Sequence, residues 1–364
     1  MTWLALTDHS DRRFAPRGLG IDKKATPQVR DDPATRLTRG SIMFETRLSP
    51  DGKPQVLFGY KTTYPTMRSL TFQAIPGGGI AMVQVQGNRI CHAAIEHKQA
   101  GRTDVVRITY SWDTAANWGR MTLEKPEDTA VVCAFVDNPQ PLSLDDIRDL
   151  MLGRNGHTFA PDMIFAALSD QIEPIGPMPG VLPQTPIATP WGYKSADTLK
   201  RGDTVMTRKS GVVPILQTVD RIVPARGSYR PIRLRAPYFG LQQDIIVGPE
   251  QRLVIDGPEV EYLFSQEAVL VPARHLVNGF AARWEPSGPM VNYSQLLLPR
   301  HETLLAAGTA VESLYIGRLR RDTHQLASSL LAGFDRAHLP EHAKPAHQVL
   351  RWYDAIHLAR RRAA

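Results

Sequence analysis

Cysteine is scarce in this chain of 364 residues, since only Cys91 and Cys133 occur. Two cysteines are too few for a disulfide framework or for a zinc site built from cysteines. Both lie in segments with β-type patterning, where a free cysteine behaves as a small apolar residue, so we predict that both are buried. The sequence therefore indicates neither a metal nor a cofactor.

Long apolar runs and a basic N-terminal segment are also missing. No run is long enough to span a bilayer, which predicts a soluble protein without a membrane span. Residues 1–8 have no basic start, and their apolar stretch is shorter than a signal peptide needs. We therefore expect a cytoplasmic protein, and we leave open export by a C-terminal or non-peptide signal.

Concentrated charge is absent, although the formal net charge is +7. The arginines are scattered, and no Lys/Arg block alternates with aromatic residues as it does in nucleic-acid-binding modules. The glycine-rich turn at 76–80 lacks the lysine and the helix that a phosphate-binding loop requires. These absences disfavour nucleic acid as a partner.

The residue pattern in the first half of the chain predicts short antiparallel strands. Between residues 40 and 173, apolar and polar residues alternate with a period of two in segments that turn residues separate, which is typical of a β-sandwich. One helix is expected here, with Ser143 as its N-cap residue and Gly153 at its end. The strand with Tyr110 and Trp112 resembles the laminin-G or lectin-like class. Residues 1–39 are expected to form an irregular arm with a short strand near its start.

The second half is organised around the stretch from Pro183 to Thr207. Its sequence IATPWG (187–192) predicts a strand and a turn, and Gly202 with Asp203 reverses the chain into a second strand. Prolines and glycines between 174 and 186 predict the interdomain linker. Residues 319–364 are expected to form a basic helical tail. Three further segments with a recognisable pattern follow along the chain: IVGPEQRL (246–253), VPARHLVNG (271–279) and YSQLLLPRHE (293–302).

These four segments together resemble the Hint domain, the module shared by hedgehog autoprocessing domains and inteins, and in particular a bacterial branch of that family. The resemblance covers about residues 180–318 and implies an all-β domain after the sandwich. It also implies chemistry on a peptide bond. In an active relative, a cysteine at the start of the domain attacks the carbonyl of the preceding residue, and a thioester replaces the amide.

The resemblance places replacements at three positions that carry the chemistry. Gly180 occupies the position of the cysteine nucleophile, and glycine has no side chain to attack with. Gln251 stands where the family has the histidine that protonates the departing amide nitrogen. Gln295 stands in place of a further family histidine. We therefore expect the domain to be degenerate.

Other polar residues of the family pattern survive. We expect His301 to be a capping or core-edge histidine, His275 to lie at a helix C-terminus, and Asp203 to form hydrogen bonds in its turn. A catalytic role for each of them stays open. Three more histidines, His338, His342 and His347, are separated by prolines that break the helix needed to align them on a metal, so this segment is expected to be solvated.

Three functions are open on the sequence alone. The first is a Hint fold that has lost self-cleavage and acts as a binding or structural module. The second is an autoprocessing protein that cleaves near residue 180 with a displaced nucleophile such as Thr185, for which His301 would have to serve as the base. The third is a lectin-like binder of carbohydrate or protein through the N-terminal sandwich. We favour the first, in which the protein is not an enzyme.

Overall fold

A computed structural model describes residues 3–20, 32, 34–48, 53–76, 79–96, 105–128 and 130–363. The chain divides into two units, Met1–Pro174 and Ile175–Ala364. Strands dominate both units, so the predicted mainly β class is confirmed. Every helix in the described ranges is too short or too polar to cross a bilayer.

The first unit contains two antiparallel sheets, a two-stranded ladder and one helix. The large sheet has the order β11-β10-β9-β4-β14-β1-β2, the second sheet has the order β13-β5-β6-β7-β8, and β12 pairs with β3. The bounds are β1 Trp3–Thr7, β2 Arg12–Phe14, β3 Arg36–Leu37, β4 Arg39–Arg47, β5 Gln55–Thr62, β6 Arg68–Ile75, β7 Gly79–Gln86, β8 Arg89–Ile95, β9 Val105–Asp113, β10 Trp118–Glu124, β11 Val131–Asp137, β12 Leu142–Ser143, α1 Leu144–Leu152, β13 His157–Phe159 and β14 Met163–Ser169.

Aromatic side chains join the two larger sheets of this unit. Phe44 of β4 lies 5.0 Å from Phe72 of β6 and 5.7 Å from Phe58 of β5, measured between ring centroids. All three rings are fully buried, as strands with a period of two place them on one face. The predicted helix is also present: Ser143 is its N-cap residue, and Gly153 ends it in the left-handed region (φ 70°).

One expectation for the first unit is met in part, and another needs correction. Of the arm expected at 1–39, residues 1–2, 21–31 and 33 fall outside the described residues. The short strand expected near its start is present as β1, which is buried between β14 and β2. Its partner β14 lies more than 150 residues away, and no local pattern reveals such a pairing. Cys91 is buried as expected, but Cys133 is exposed, because it lies on β11 at the edge of the large sheet.

The second unit is built from further antiparallel ladders around a second core. Its largest sheet has the order β16-β15-β26-β27-β22-β23-β28, and β17 joins it by pairing with β26, while β18 pairs with β17. In addition, β19 pairs with β25, and β21-β20-β24 form a third sheet. The bounds are β15 Pro186–Thr189, β16 Gly192–Ser195, β17 Thr204–Thr207, β18 Gly211–Pro214, β19 Gln217–Pro224, β20 Ile232–Leu234, β21 Ile245–Val247, β22 Arg252–Asp256, α2 Pro258–Phe264, β23 Ala268–Pro272, β24 Ala282–Trp284, β25 Met290–Leu297, β26 Thr303–Ala306, β27 Thr309–Glu312, α3 Thr323–Ala327, β28 Gln348–Val349 and α4 Trp352–Ala363.

The basic helical tail expected at 319–364 differs from the structure. Within its described residues, 319–363, α-helix is limited to α3 and α4, and β28 pairs in parallel with β23. The reason is hydrophobic burial, because apolar side chains of this segment pack into the cores of the second unit. They are Leu319, Leu326, Leu331, Leu339, Leu350, Ala355 and Leu358.

Candidate functional site

Gly180, which the resemblance aligns with the family's cysteine nucleophile, lies in a buried stretch that backbone hydrogen bonds hold on two sides. The Gly248 N–H donates to the Gly180 carbonyl over 2.7 Å. The next residue, Val181, exchanges two backbone hydrogen bonds with Ser294 of β25, of 3.2 and 2.7 Å. The backbone at residue 180 is therefore fixed between β25 and the turn after β21.

The two glutamines that the resemblance aligns with family histidines, Gln251 and Gln295, form a buried pair. The side-chain amide of Gln295 donates to Oε1 of Gln251 over 2.7 Å. Both amide Nε2 atoms also donate to the backbone carbonyl of Glu312, each over 3.1 Å. The side chains are 4% (Gln251) and 2% (Gln295) exposed, so these hydrogen bonds are shielded from water. We call these two residues the glutamine pair.

Gln251 of the glutamine pair fills the space next to Gly180. A Cβ atom on residue 180 would lie 2.3 Å from Oε1 of Gln251 and 3.0 Å from its Cβ. Contacts this short require a neighbour to move, and here that neighbour is held by Gln295. The backbone of Gly180 is outside the left-handed region, so glycine is needed here for steric reasons. The structure thus places Gln251 in contact with both Gly180 and Gln295.

His301 lies in a second buried cluster that shares Glu312 with the glutamine pair. The Ala346 N–H donates to Nδ1 of His301 over 2.8 Å, which assigns the ring proton of the neutral histidine to Nε2. Nε2 lies 3.4 Å from the Glu312 carboxylate, and this carboxylate also accepts from Arg252 over 3.1 Å. Nδ1 of His301 thus has a hydrogen-bond partner, whereas Nε2 is buried beside the Glu312 carboxylate without a hydrogen bond to any described residue. A capping or core-edge role for His301 stays a prediction.

His342 belongs to the same cluster, contrary to the expectation of a solvated segment. Its side chain is buried, its ring lies 5.7 Å from that of His301, and its Nε2 donates to the Leu298 carbonyl over 3.2 Å. Burial, and secondarily the proximity of His301, lowers the pKa of His342 to about 4, so the ring is neutral at pH 7. Within the described ranges, no group of three potential ligands is arranged to hold a metal.

The other two candidate residues have separate surroundings. Oδ2 of Asp203 accepts from the Lys200 N–H over 3.0 Å, which is a turn-forming contact. His275 lies in a short 3₁₀ helix (Ala273–Leu276), and its Nε2 accepts from Nε of Arg274 over 3.2 Å. Burial, and then the Arg274 charge, lowers the pKa of His275 to about 4. Neither set of contacts includes a member of the glutamine pair.

Thr185, the displaced nucleophile considered above, is buried near the start of β15. Its Oγ1 has no hydrogen-bond partner among the described residues, so no base is in contact with this hydroxyl. Glu312, which joins both clusters, was not predicted from the sequence. Asp220, whose carboxylate accepts from the Ser294 hydroxyl beside Val181, was not predicted either. Both residues follow ordinary β-type patterns, and no local signal marks them.

Comparison with known proteins gives one family and several distant structures. The family model for the Hint domain, Hint_2, matches residues 179–318. A crystal structure of the MchDnaB-1 intein is 13% identical, with 37% of this chain and 98% of the intein covered and a TM-score of 0.27. Comparison with curated proteins gives no match.

Two other solved structures are similar at the same distant level. The CBM40 of Ruminococcus gnavus IT-sialidase is 14% identical, with 37% of this chain and 77% of that chain covered and a TM-score of 0.27. The LG1-3 region of the laminin alpha2 chain is 7% identical, with 77% and 54% covered and a TM-score of 0.25. The family match spans the four sequence segments and the glutamine pair, and the chain is a Hint-domain protein with its Hint domain at residues 179–318.

Proposed function

We propose that this Hint domain has kept its fold, has lost self-cleavage, and serves as a binding or structural module. One observation carries the proposal: the side chain of Gln251 occupies the volume that a side chain on residue 180 would need. Residue 180 therefore lacks a nucleophilic side chain, and it also lacks the space for one, because Gln251 fills the volume beside it.

The chemistry of the three positions supports the same conclusion. An N-to-S acyl shift needs a nucleophilic side chain at residue 180, and glycine provides none. It also needs an acid that delivers a proton to the departing nitrogen, whereas the amide of Gln251 does not titrate in the neutral range. Both hydrogens on Nε2 of Gln251 have carbonyl acceptors close by, on Arg252 and Glu312. The amide thus has a structural role.

Self-cleavage by a displaced nucleophile is the less favoured alternative. Thr185 would need a base in hydrogen-bond contact, and its hydroxyl has no such partner among the described residues. The contacts of His301 are with Ala346 and Glu312. A lectin-like role of the first unit in binding carbohydrate or protein stays a prediction.

The proposal is tested by rebuilding the missing groups in the full-length chain. We expect the triple variant Gly180→Cys, Gln251→His, Gln295→His to break between Pro179 and residue 180 in a time- and thiol-dependent manner. The new thiolate would attack the Pro179 carbonyl, the amide C–N bond would break as its nitrogen takes a proton, and dithiothreitol would release the thioester. The fraction cleaved is read by intact mass.

The matched control is the double variant Gln251→His, Gln295→His, which keeps Gly180. This control must stay intact, because it regains the acid without a nucleophile. A folded triple variant that also stays intact would show that the loss of activity does not lie at these three positions. Circular dichroism and thermal melting of each variant establish whether it is folded.

A further inference from the structure

A large cleft of about 1070 Å³ lies in the second unit, beside α4 and lined by residues other than Gly180 and the glutamine pair. We call it the α4 cleft. One part of its lining, the apolar wall, consists of buried apolar residues: Val254, Ile255, Val271, Ala310, Ala355 and Leu358. A concave apolar surface of this size is typical of sites for small molecules.

Two uncharged hydrogen-bond donors lie on the lining. His275 accepts at Nε2 from Arg274, so the proton of the neutral ring is on Nδ1. Oδ1 of Asn278 accepts the N–H groups of Phe280 and Ala281, both over 2.9 Å, which leaves the NH₂ group of Asn278 as a donor. These donors fit a ligand with an acceptor oxygen such as a carbonyl.

The charges of the lining compensate each other. Arg208 and Asp256 form an ion pair over 2.5 Å, and both side chains are about half exposed, at 41% and 52%. An ionised ligand would have to be desolvated against an apolar wall without a free counter-charge, which is costly. An uncharged ligand avoids this cost.

Aromatic residues line the mouth of the cleft. The rings of Tyr238 and Phe280 meet edge to face at 6.0 Å, and they are 38% and 64% exposed. Phe239, which follows Tyr238 in the chain and also belongs to the lining, has a left-handed backbone (φ 59°), a conformation that a bulky residue rarely adopts and that is enriched at binding sites.

From these features we infer that the α4 cleft binds an uncharged apolar molecule with one carbonyl acceptor, of the class of fatty-acyl esters. The alkyl chain would lie along the apolar wall, and the ester carbonyl would accept from His275 and Asn278. This inference does not depend on the loss of self-cleavage, because the two sites share no residue.

The test measures displacement of the uncharged fluorophore N-phenyl-1-naphthylamine from the full-length protein by methyl decanoate and by decanoate at pH 8. We expect methyl decanoate to displace the fluorophore at a concentration at least about tenfold lower than decanoate does. Asn278→Asp keeps the oxygen that caps the backbone N–H groups but removes the amide donor. It is expected to weaken the ester by about tenfold.

A pair of α4 variants locates the binding. Ala359 lines the cleft and His357 does not, and both residues are exposed on the same helix. Ala359→Trp should abolish displacement, whereas His357→Trp should bind like the unchanged protein. The inference is overturned if the ester does not bind, if ester and carboxylate bind equally, or if the two tryptophan variants behave alike. Thermal melting verifies that each variant is folded.

Discussion

Replacing Gln295 by leucine is expected to lower the free energy of unfolding of the second unit by about 3 kcal/mol. The substitution removes the donor to Oε1 of Gln251, a 2.7 Å hydrogen bond, and one donor to the Glu312 carbonyl. It also removes the acceptor for the Leu296 N–H. The effect is large because these polar atoms are buried away from water. When they lose their hydrogen-bond partner, water cannot replace it.

Urea unfolding of the full-length chain is measured, and hydrogen exchange in peptides from the second unit shows whether the change lies in that unit. The matched control is Gln243→Leu, because Gln243 is exposed and lies in the same unit. The control should change the free energy by less than about 0.5 kcal/mol. Equal, small effects of both substitutions would show that the glutamine pair does not stabilise the domain.

Replacing Gly180 by alanine is expected to lower the free energy of unfolding by about 2 kcal/mol, because the added Cβ displaces Gln251 from Gln295. This steric explanation predicts that the effects of substitutions at residues 180 and 251 on the free energy of unfolding are not additive. In the Gln251→Ala background the obstacle is gone, and the same replacement should cost less than about 0.5 kcal/mol. The double-mutant cycle therefore isolates the contact between residues 180 and 251.

Gly288→Ala serves as the control for the intrinsic effect of alanine. A Cβ on Gly288 meets no atom within 4 Å, and its backbone is outside the left-handed region. We expect Gly288→Ala to change the free energy of unfolding by less than about 0.5 kcal/mol. If Gly180→Ala has the same cost in both backgrounds, the space beside Gly180 is not filled by Gln251, and the steric part of our account is wrong.

Local patterns predicted much of the fold. The helix between Ser143 and Gly153 has a suitable N-cap residue, acidic residues in its first turn and a glycine that ends it, and α1 follows this pattern. Apolar and polar residues alternate along the strands of the first unit, and β9 and β10 lie where this alternation places them, although both faces of these two strands are buried. In these segments the local preference and the tertiary packing agree.

Pairings between distant segments were not predictable. The strand β1 is apolar at most positions, and only its partner β14 explains why it is a strand in the middle of a sheet. The C-terminal strand β28 pairs with β23, about 80 residues earlier, so a composition suited to helices was misleading there. Tertiary contacts override weak local propensities in both cases.

The candidate site was predictable in part. The resemblance singled out Gly180, Gln251 and Gln295, and the structure places them in contact. The sequence did not reveal that one glutamine fills the space of the lost nucleophile, because this depends on the distance between two loops. The burial of His342 was missed for the same reason, since its partner Leu298 lies more than 40 residues away.

The most direct test of the central claim is the intact mass of the unchanged full-length protein during prolonged incubation with and without dithiothreitol. Because residue 180 has no nucleophile and its surroundings exclude a side chain, we expect a single species at the full-length mass of 40.5 kDa under both conditions. Two thiol-dependent fragments that meet at the Pro179–Gly180 bond would contradict the account. They would show that an acyl shift occurs at a position where we find no group to perform it.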